Sequence, residues 1–237
     1  MPELPEVETI KNVLKGILIG QKITKIDVLR MSTIQGDKNF FVNTLTGQTF
    51  LDITRYGKYL FLHLTNDLVI ISHLRMEGKY YELLENEQNT YFSRVVFHLN
   101  NGHKVCYDDS RCFGILKLST EDCYKQEPEI IKLGKEPFEI NSVDYLLERC
   151  KKSNIPIKST ITDQTLIAGI GNIYADEVLF DCKIHPLTPA RLVKKEQWEN
   201  IISSSRRILK LAIESGGSTI KSYHPGKDID GKFRKVK

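Results

Sequence analysis

Between Lys22 and Leu118 apolar side chains alternate with polar ones, and beyond about residue 140 they recur at helical spacing. A chain whose period changes in this way buries a sheet first and helices afterwards. In the first part Ile23, Ile26 and Val28 mark a strand, and 49–54 and 59–64 read as strands around Arg55-Tyr56-Gly57-Lys58. Strands at 68–74, 79–83, 94–99, 104–107 and 114–118 follow. Thr65-Asn66-Asp67 and Asn100-Asn101-Gly102 between them are hairpin turns. Seven or eight short strands predict an antiparallel β-sandwich or barrel. A helix over 3–19 precedes it, with Val7, Ile10, Leu14 and Ile17 on one stripe.

Residues 121–139 are charged, contain Pro128 and Pro137 and lack a clean period, so they read as the tail of the first unit and a linker. Four helices are then expected: 142–151, 156–168, 172–182 and 194–215. Ala168-Gly169-Ile170-Gly171 lies between the second and third, and Gly216-Gly217 closes the last. The fold class is α+β and multidomain, an N-terminal antiparallel β-sandwich with an N-terminal helix followed by an all-α unit. The expected boundaries are 1–130, a linker at 131–140, a helical domain at 141–223 and the start of a C-terminal region at 224–237.

Charge divides along the same line. Residues 1–130 carry 15 Lys and Arg against 17 Asp and Glu, and residues 131–237 carry 19 against 13. The basic second half fits a polyanionic partner. The five cysteines, Cys106, Cys112, Cys123, Cys150 and Cys182, include no C-x-x-C pair, so neither disulfides nor a cysteine-rich metal site is expected from them. No apolar run is long enough to span a membrane and no signal peptide opens the chain, so a cytoplasmic location is expected.

Five stretches carry chemistry. Met1-Pro2-Glu3-Leu4-Pro5-Glu6 opens the chain. Removal of Met1 would leave the Pro2 ring nitrogen as a secondary amine, able to attack an aldehyde-like carbon beside the carboxylates of Glu3 and Glu6. The plainer reading is an acidic helix start that suits the helix dipole. Lys58 follows a glycine at a bend between strands and is placed to meet a phosphate or move a proton; a surface lysine is the plainer reading. Met76, Arg111 and Phe113 project from two turns, His73-Leu74-Arg75-Met76-Glu77-Gly78 and Asp109-Ser110-Arg111-Cys112-Phe113-Gly114. Together they could form a wedge that enters a duplex when a base leaves it, against ordinary packing and a surface ion pair. Gly169-Ile170-Gly171-Asn172 joins two helices, where glycines permit close backbone approach and a helix N-terminus offers N–H groups to a phosphate. Lys151, Lys152 and Lys158 lie just upstream and either share that backbone or form a solvated face.

In this order, Pro2-Glu3-Leu4-Pro5-Glu6-Val7-Glu8-Thr9, Arg55-Tyr56-Gly57-Lys58-Tyr59, His73-Leu74-Arg75-Met76-Glu77-Gly78, Arg111-Cys112-Phe113-Gly114 and Gly169-Ile170-Gly171-Asn172-Ile173-Tyr174-Ala175-Asp176-Glu177 closely resemble the bacterial formamidopyrimidine-DNA glycosylases. The resemblance covers essentially the whole chain. It implies a β-sandwich joined to a helix-two-turn-helix domain. It also implies base-excision DNA repair by a bifunctional glycosylase and abasic-site lyase acting on oxidised purines, 8-oxoguanine and formamidopyrimidines. By this resemblance Pro2 is the nucleophile at the sugar C1′ and forms a Schiff base that undergoes β,δ-elimination. Glu3 protonates the opening sugar, Lys58 donates protons in the eliminations and Glu6 organises the site. Met76, Arg111 and Phe113 fill the gap left by the flipped nucleotide, and His73, Lys152, Lys158 and Asn172 hold phosphates. Glu77 belongs with lesion recognition, as does the loop containing Ser218, Thr219, Lys221 and Tyr223.

The partner implied is double-stranded DNA with oxidised bases or abasic sites, handled by a monomer. The chemistry requires neither redox cofactor nor catalytic metal. The family's structural zinc sits in a C-terminal four-cysteine finger. This chain stops at Lys237, where that finger would begin, and none of its five cysteines has the spacing to replace it. Phe92 stands where the family often has a DNA-contacting histidine. Two other functions stay open on sequence alone: the endonuclease VIII branch, which prefers oxidised pyrimidines, and a non-catalytic damaged-DNA-binding remnant.

Overall fold

Helix α1 (Leu4–Leu18) carries Pro5 in its first turn, where a missing N–H costs nothing, and buries Val7, Ile10, Leu14 and Leu18 on one face. In the computed structural model, which describes residues 1–218, that face closes a sandwich of two sheets. One sheet holds β1 (Ile23–Val28), β7 (Ser93–Leu99), β8 (His103–Asp108) and β6 (Lys79–Leu84), in that order and all antiparallel. The other runs β2 (Ile34–Gln35), β9 (Ile115–Thr120), β5 (Leu68–His73), β4 (Tyr59–Leu64) and β3 (Phe50–Tyr56). Its pairs are antiparallel except the two-residue β2, which lies parallel to β9 at the sheet edge. Ile23, Phe50, Leu60, Leu62, Ile70, Phe97, Val105 and Leu116 meet α1 between the sheets.

The period-two reading of 22–118 fails at α2 (Lys38–Leu45). Asp37 caps that helix by accepting the Phe40 N–H at 2.6 Å, and Phe41 and Leu45, four residues apart, reach the core. The stretch read as an aperiodic linker is also more structured than expected. It contains helix α3 (Pro128–Ile131), and Tyr124 and Ile130 cover Tyr59, Phe61, Val69 and Ile71 on the outer face of the five-stranded sheet. Strand β4 is therefore buried along its whole length, with Leu60, Leu62 and Leu64 facing one core and Tyr59 and Phe61 the other.

The second half packs α4 (Asp144–Cys150), α5 (Ile157–Ile161), α6 (Asn172–Asp181) and α7 (Lys195–Glu214) around Leu146, Ile157, Ile170, Tyr174, Val178, Trp198, Ile201 and Leu209. Helix α5 is much shorter than the 156–168 span expected. Asp163 accepts both the Thr165 N–H and its hydroxyl, and Gln164 bonds the Thr162 and Ile170 carbonyls and the Gly169 N–H. These side chains give the backbone after Ile161 an alternative to the helix.

Leu4 belongs to this helical core, whereas Val7, Ile10, Leu14 and Leu18 belong to the sandwich core. Helix α1 thus enters both, and its first turn is where they meet. No helix among the described residues is long and apolar enough to cross a membrane.

Candidate active site

The first turn of α1 is fixed by the opposite core. The Leu4 N–H donates to the Gly169 carbonyl at 3.1 Å. The carboxylate of Glu3, only 2% exposed, accepts N–H bonds from Gly171 at 2.7 Å, Ile173 at 2.8 Å and Tyr174 at 3.3 Å. It therefore fills the anion site at the N-terminus of α6. The two glycines make this possible. A Cβ on Gly169 would lie 2.5 Å from Leu4 Cδ1, and one on Gly171 would lie 2.5 Å from Glu3 Cδ. The sequence reading assigned the same N–H groups to a phosphate. In the structure a carboxylate of the chain itself holds them, and Asn172 is left exposed at the first position of the helix.

Glu6 ties the site together from below. It accepts the Glu3 N–H at 2.9 Å, the Tyr174 hydroxyl at 2.7 Å, and both the N–H and the hydroxyl of Ser218 at 2.8 and 2.9 Å. Lys58 comes from the tight turn between β3 and β4, where Gly57 takes φ +57° and Tyr56 pairs with Tyr59. The lysine is 4% exposed and makes no hydrogen bond or ion pair among the described residues. Burial draws its pKa down, and the charges of Glu3 and Glu6 oppose that. Burial likewise pushes Glu3 up, against Lys58 and the amides of Ile173 and Gly171. The Met1 amine, at the chain's N-terminus, lies in the same field: burial lowers its pKa, with Glu3 and Glu6 opposing and Lys58 assisting. Pro2 is buried beside it.

The turn that carries Lys58 is anchored from outside the pocket. Arg55 bonds Glu136 through both terminal nitrogens and Glu8 through Nε at 2.8 Å, and the Gly57 N–H donates to Glu136 at 2.6 Å. Sequence reasoning missed Glu136 and Glu8 as partners, because nothing local links positions 8, 55 and 136. It also gave no role to Tyr174, although it quoted the motif.

A second group sits at the ends of β5 and β8. Met76 is 40% and Phe113 52% exposed, and the Arg111 guanidinium lies 4.9 Å from the Phe113 ring centroid. Each turn contains a non-glycine residue in left-handed backbone, Arg75 at φ 54° and Cys112 at φ 56°. Such residues persist where the surroundings hold them, and they cluster at functional sites. Glu77 accepts a hydrogen bond from Ser110 of the other turn.

The remaining expected residues lie apart from both groups or in altered settings. His73 is 6% exposed, receives the Arg75 N–H on Nδ1 at 3.0 Å, and is held by burial down to about 3, so it presents a neutral ring. Lys158 pairs with Asp176 at 2.7 Å. Lys152 is exposed beside Lys151, which pairs with Glu148. Thr219, Lys221 and Tyr223 lie outside the described residues. Among those described, no three His, Cys, Asp or Glu side chains are grouped to hold a metal ion, and the five cysteines do not fit a zinc site.

A sandwich and a helical unit sharing one buried carboxylate pocket define a two-part architecture with known relatives. Residues 1–116 match the formamidopyrimidine-DNA glycosylase N-terminal domain, and residues 133–224 match that family's H2TH domain. A formamidopyrimidine-DNA glycosylase of Ligilactobacillus salivarius is 41% identical over 227 residues, covering 94% of this chain and 81% of the relative. A crystal structure of a Lactococcus lactis FPG mutant with Fapy-dG-containing DNA superposes with a TM-score of 0.92 at 34% identity. It covers 99% of this chain and 86% of that one. The Lactococcus lactis enzyme with abasic-site DNA gives 0.87 at 35% identity, over 93% and 82%. The chain belongs to the formamidopyrimidine-DNA glycosylase family.

Proposed function

We propose that this chain is a base-excision DNA glycosylase and abasic-site lyase for oxidised purines, 8-oxoguanine and formamidopyrimidines, working on double-stranded DNA through the N-terminal amine of Pro2. The observation that carries this reading is the convergence of Glu3, Glu6 and Lys58 on the chain's N-terminus, at a place where burial lowers an amine's pKa. That shift belongs to the Met1 amine; a Pro2 amine freed beside it and kept as poorly solvated would likewise be unprotonated, and hence nucleophilic, at lower pH than a free one.

The target base must leave the stack before its sugar can be reached. The Pro2 nitrogen attacks C1′, the C1′–N bond breaks, and the base departs with a proton. Glu3, whose pKa is raised by burial, holds a proton to higher pH than an ordinary carboxyl and is suited to protonate the ring oxygen as the sugar opens. The resulting imine acidifies C2′, which permits β- and then δ-elimination of the two phosphates. Lys58, poorly solvated and near both glutamates, is the proton carrier for those steps. None of this begins while Met1 is attached, because the Pro2 nitrogen is then an amide.

On this reading residues 1–130 supply the chemistry. Residues 141–223 hold the backbone through Asn172, Lys158 and Lys152, and His73 can offer a phosphate only a neutral N–H. Met76, Arg111 and Phe113 occupy the emptied stack. Ser218, fixed to Glu6, begins the segment that contacts the lesion.

Borohydride reduction tests the proposal. Protein lacking Met1 is expected to become covalently trapped on duplexes carrying 8-oxoguanine or an abasic site, and Pro2→Gly is expected to reduce trapping sharply. A Pro2→Gly protein that traps and cleaves like the parent would remove the mechanism. Faster excision of thymine glycol than of 8-oxoguanine would move the chain to the pyrimidine branch.

A further inference from the structure

Gly78 and Gly114 are 36 positions apart and close the two turns that carry Met76 and Phe113. One atom occupies the space where both their side chains would be. A Cβ built on Gly114 would fall on the Tyr107 hydroxyl oxygen, and a Cβ on Gly78 would also overlap it. Tyr107 stands in β8, is fully buried, and packs its ring on Tyr80 at 5.0 Å between centroids. Its hydroxyl has no hydrogen-bond partner among the described residues. The Leu74 carbonyl lies beside the Gly78 position and the Asp109 carboxylate beside the Gly114 position, and each already accepts that glycine's own N–H. Asp109 is 1% exposed and already holds the second turn, accepting the Gly114 N–H at 2.7 Å and the Arg111 N–H at 3.0 Å. Above this level the turns are tied again, by Ser110 donating to Glu77.

A buried hydroxyl without a partner is costly, and phenylalanine would fill the same volume without that cost. Packing alone therefore does not account for the oxygen. Its position does: a shift of either turn displaces the hydroxyl or is blocked by it, so neither turn moves alone. We infer that Tyr107 is a positioning residue that joins the Met76 turn and the Arg111–Phe113 turn into a single insertion element. The inference rests on the proposed role of these turns as the wedge entering DNA, but not on the covalent chemistry.

The test is a double-mutant cycle on insertion, read by 2-aminopurine fluorescence in a duplex with a reduced, uncleavable abasic-site analogue. Met76→Ala, Phe113→Ala and their combination are compared in the parent and in Tyr107→Phe, whose fold is checked by circular dichroism and thermal unfolding. In the parent the double variant should lose insertion by clearly less than the product of the two single losses, a coupling of at least about threefold. In Tyr107→Phe the two losses should multiply, while its melting temperature is equal to or above that of the parent. Additive losses in the parent, or a coupling that survives in Tyr107→Phe, would overturn the inference. Because the readout needs only binding, a parent that shows coupling yet never traps on borohydride would sink the proposed chemistry and leave the single insertion element standing.

Discussion

Glu3 and Phe113 are both proposed to act on the DNA, yet they are held in opposite ways. Glu3 is 2% exposed and locked by three amides of the helical core. Phe113 is 52% exposed, and only the root of its turn, around Asp109 and Gly114, is buried. The difference fits what each is proposed to do. A proton donor has to stand within a fraction of an ångström of its target and in a low dielectric, so it is built where two cores meet and the backbone itself supplies the bonds. A wedge has to leave one apolar contact for another, so its tip stays free and only its base is fixed.

The contrast sets the scale of what substitutions should do. Glu3→Gln keeps an acceptor for the amides of α6 but removes the transferable proton. Base excision should fall about 10²- to 10⁴-fold in single-turnover assays; because both Glu3 oxygens accept amides of the helical core, the Gln NH2 must face one of those donors and should cost about 1–3 kcal/mol of stability as well. Comparable excision by Glu3→Gln would show that the pocket is structural. Arg55→Met should cost stability instead: Glu136 and Glu8 lose a buried cation, and denaturant unfolding should register a loss of about 3–5 kcal/mol. Gly171→Ala places a methyl 2.5 Å from Glu3 Cδ. Moving the carboxylate away should cost about 1–3 kcal/mol and slow excision without weakening duplex binding; unchanged excision would mean that the close approach is dispensable.

His73 gives a pH-dependent effect. Its folded pKa of about 3 lies below that of an unfolded histidine. The unfolded chain therefore takes up the proton first, and its contribution is intact above the unfolded value. Stability should fall as pH drops below about 6.5, by up to about 1.4 kcal/mol per unit, and His73→Asn should lack that slope. At the exposed end of the comparison, Phe113→Ala should change stability by no more than about 0.5 kcal/mol while reducing insertion into lesion duplexes. A larger loss of stability would mean that the tip is part of the core.

Much of this was legible in the residues. Alternation placed β1 and β3–β9 to within about two residues, and the asparagine-glycine turn between β7 and β8 was plain. Helix α2 was hidden because its signal is a single cap and two apolar positions inside a long run of strands. The packed segment 121–139 was hidden because its apolar residues face a sheet surface rather than a periodic stripe. For the site, Glu3, Glu6 and Lys58 could be named in advance, but the meaning of Gly169 and Gly171 could not. Glycines before a helix are read by default as room for a ligand. Here the room is taken by Leu4 and Glu3, more than 160 residues away in sequence, and no local pattern encodes a contact at that separation. The same applies to Tyr107, which alternation marks as core and which geometry alone connects to two glycines.

The central claim is that the nucleophile is the amine at the start of α1 and that Lys58 only moves protons. The most direct test is to reduce the complex with abasic-site DNA using borohydride, digest it, and locate the sugar adduct by tandem mass spectrometry. The account predicts a single adduct on an N-terminal peptide beginning with Pro2, and none on protein that retains Met1. An adduct on Lys58, or trapping undiminished by Met1, would contradict it.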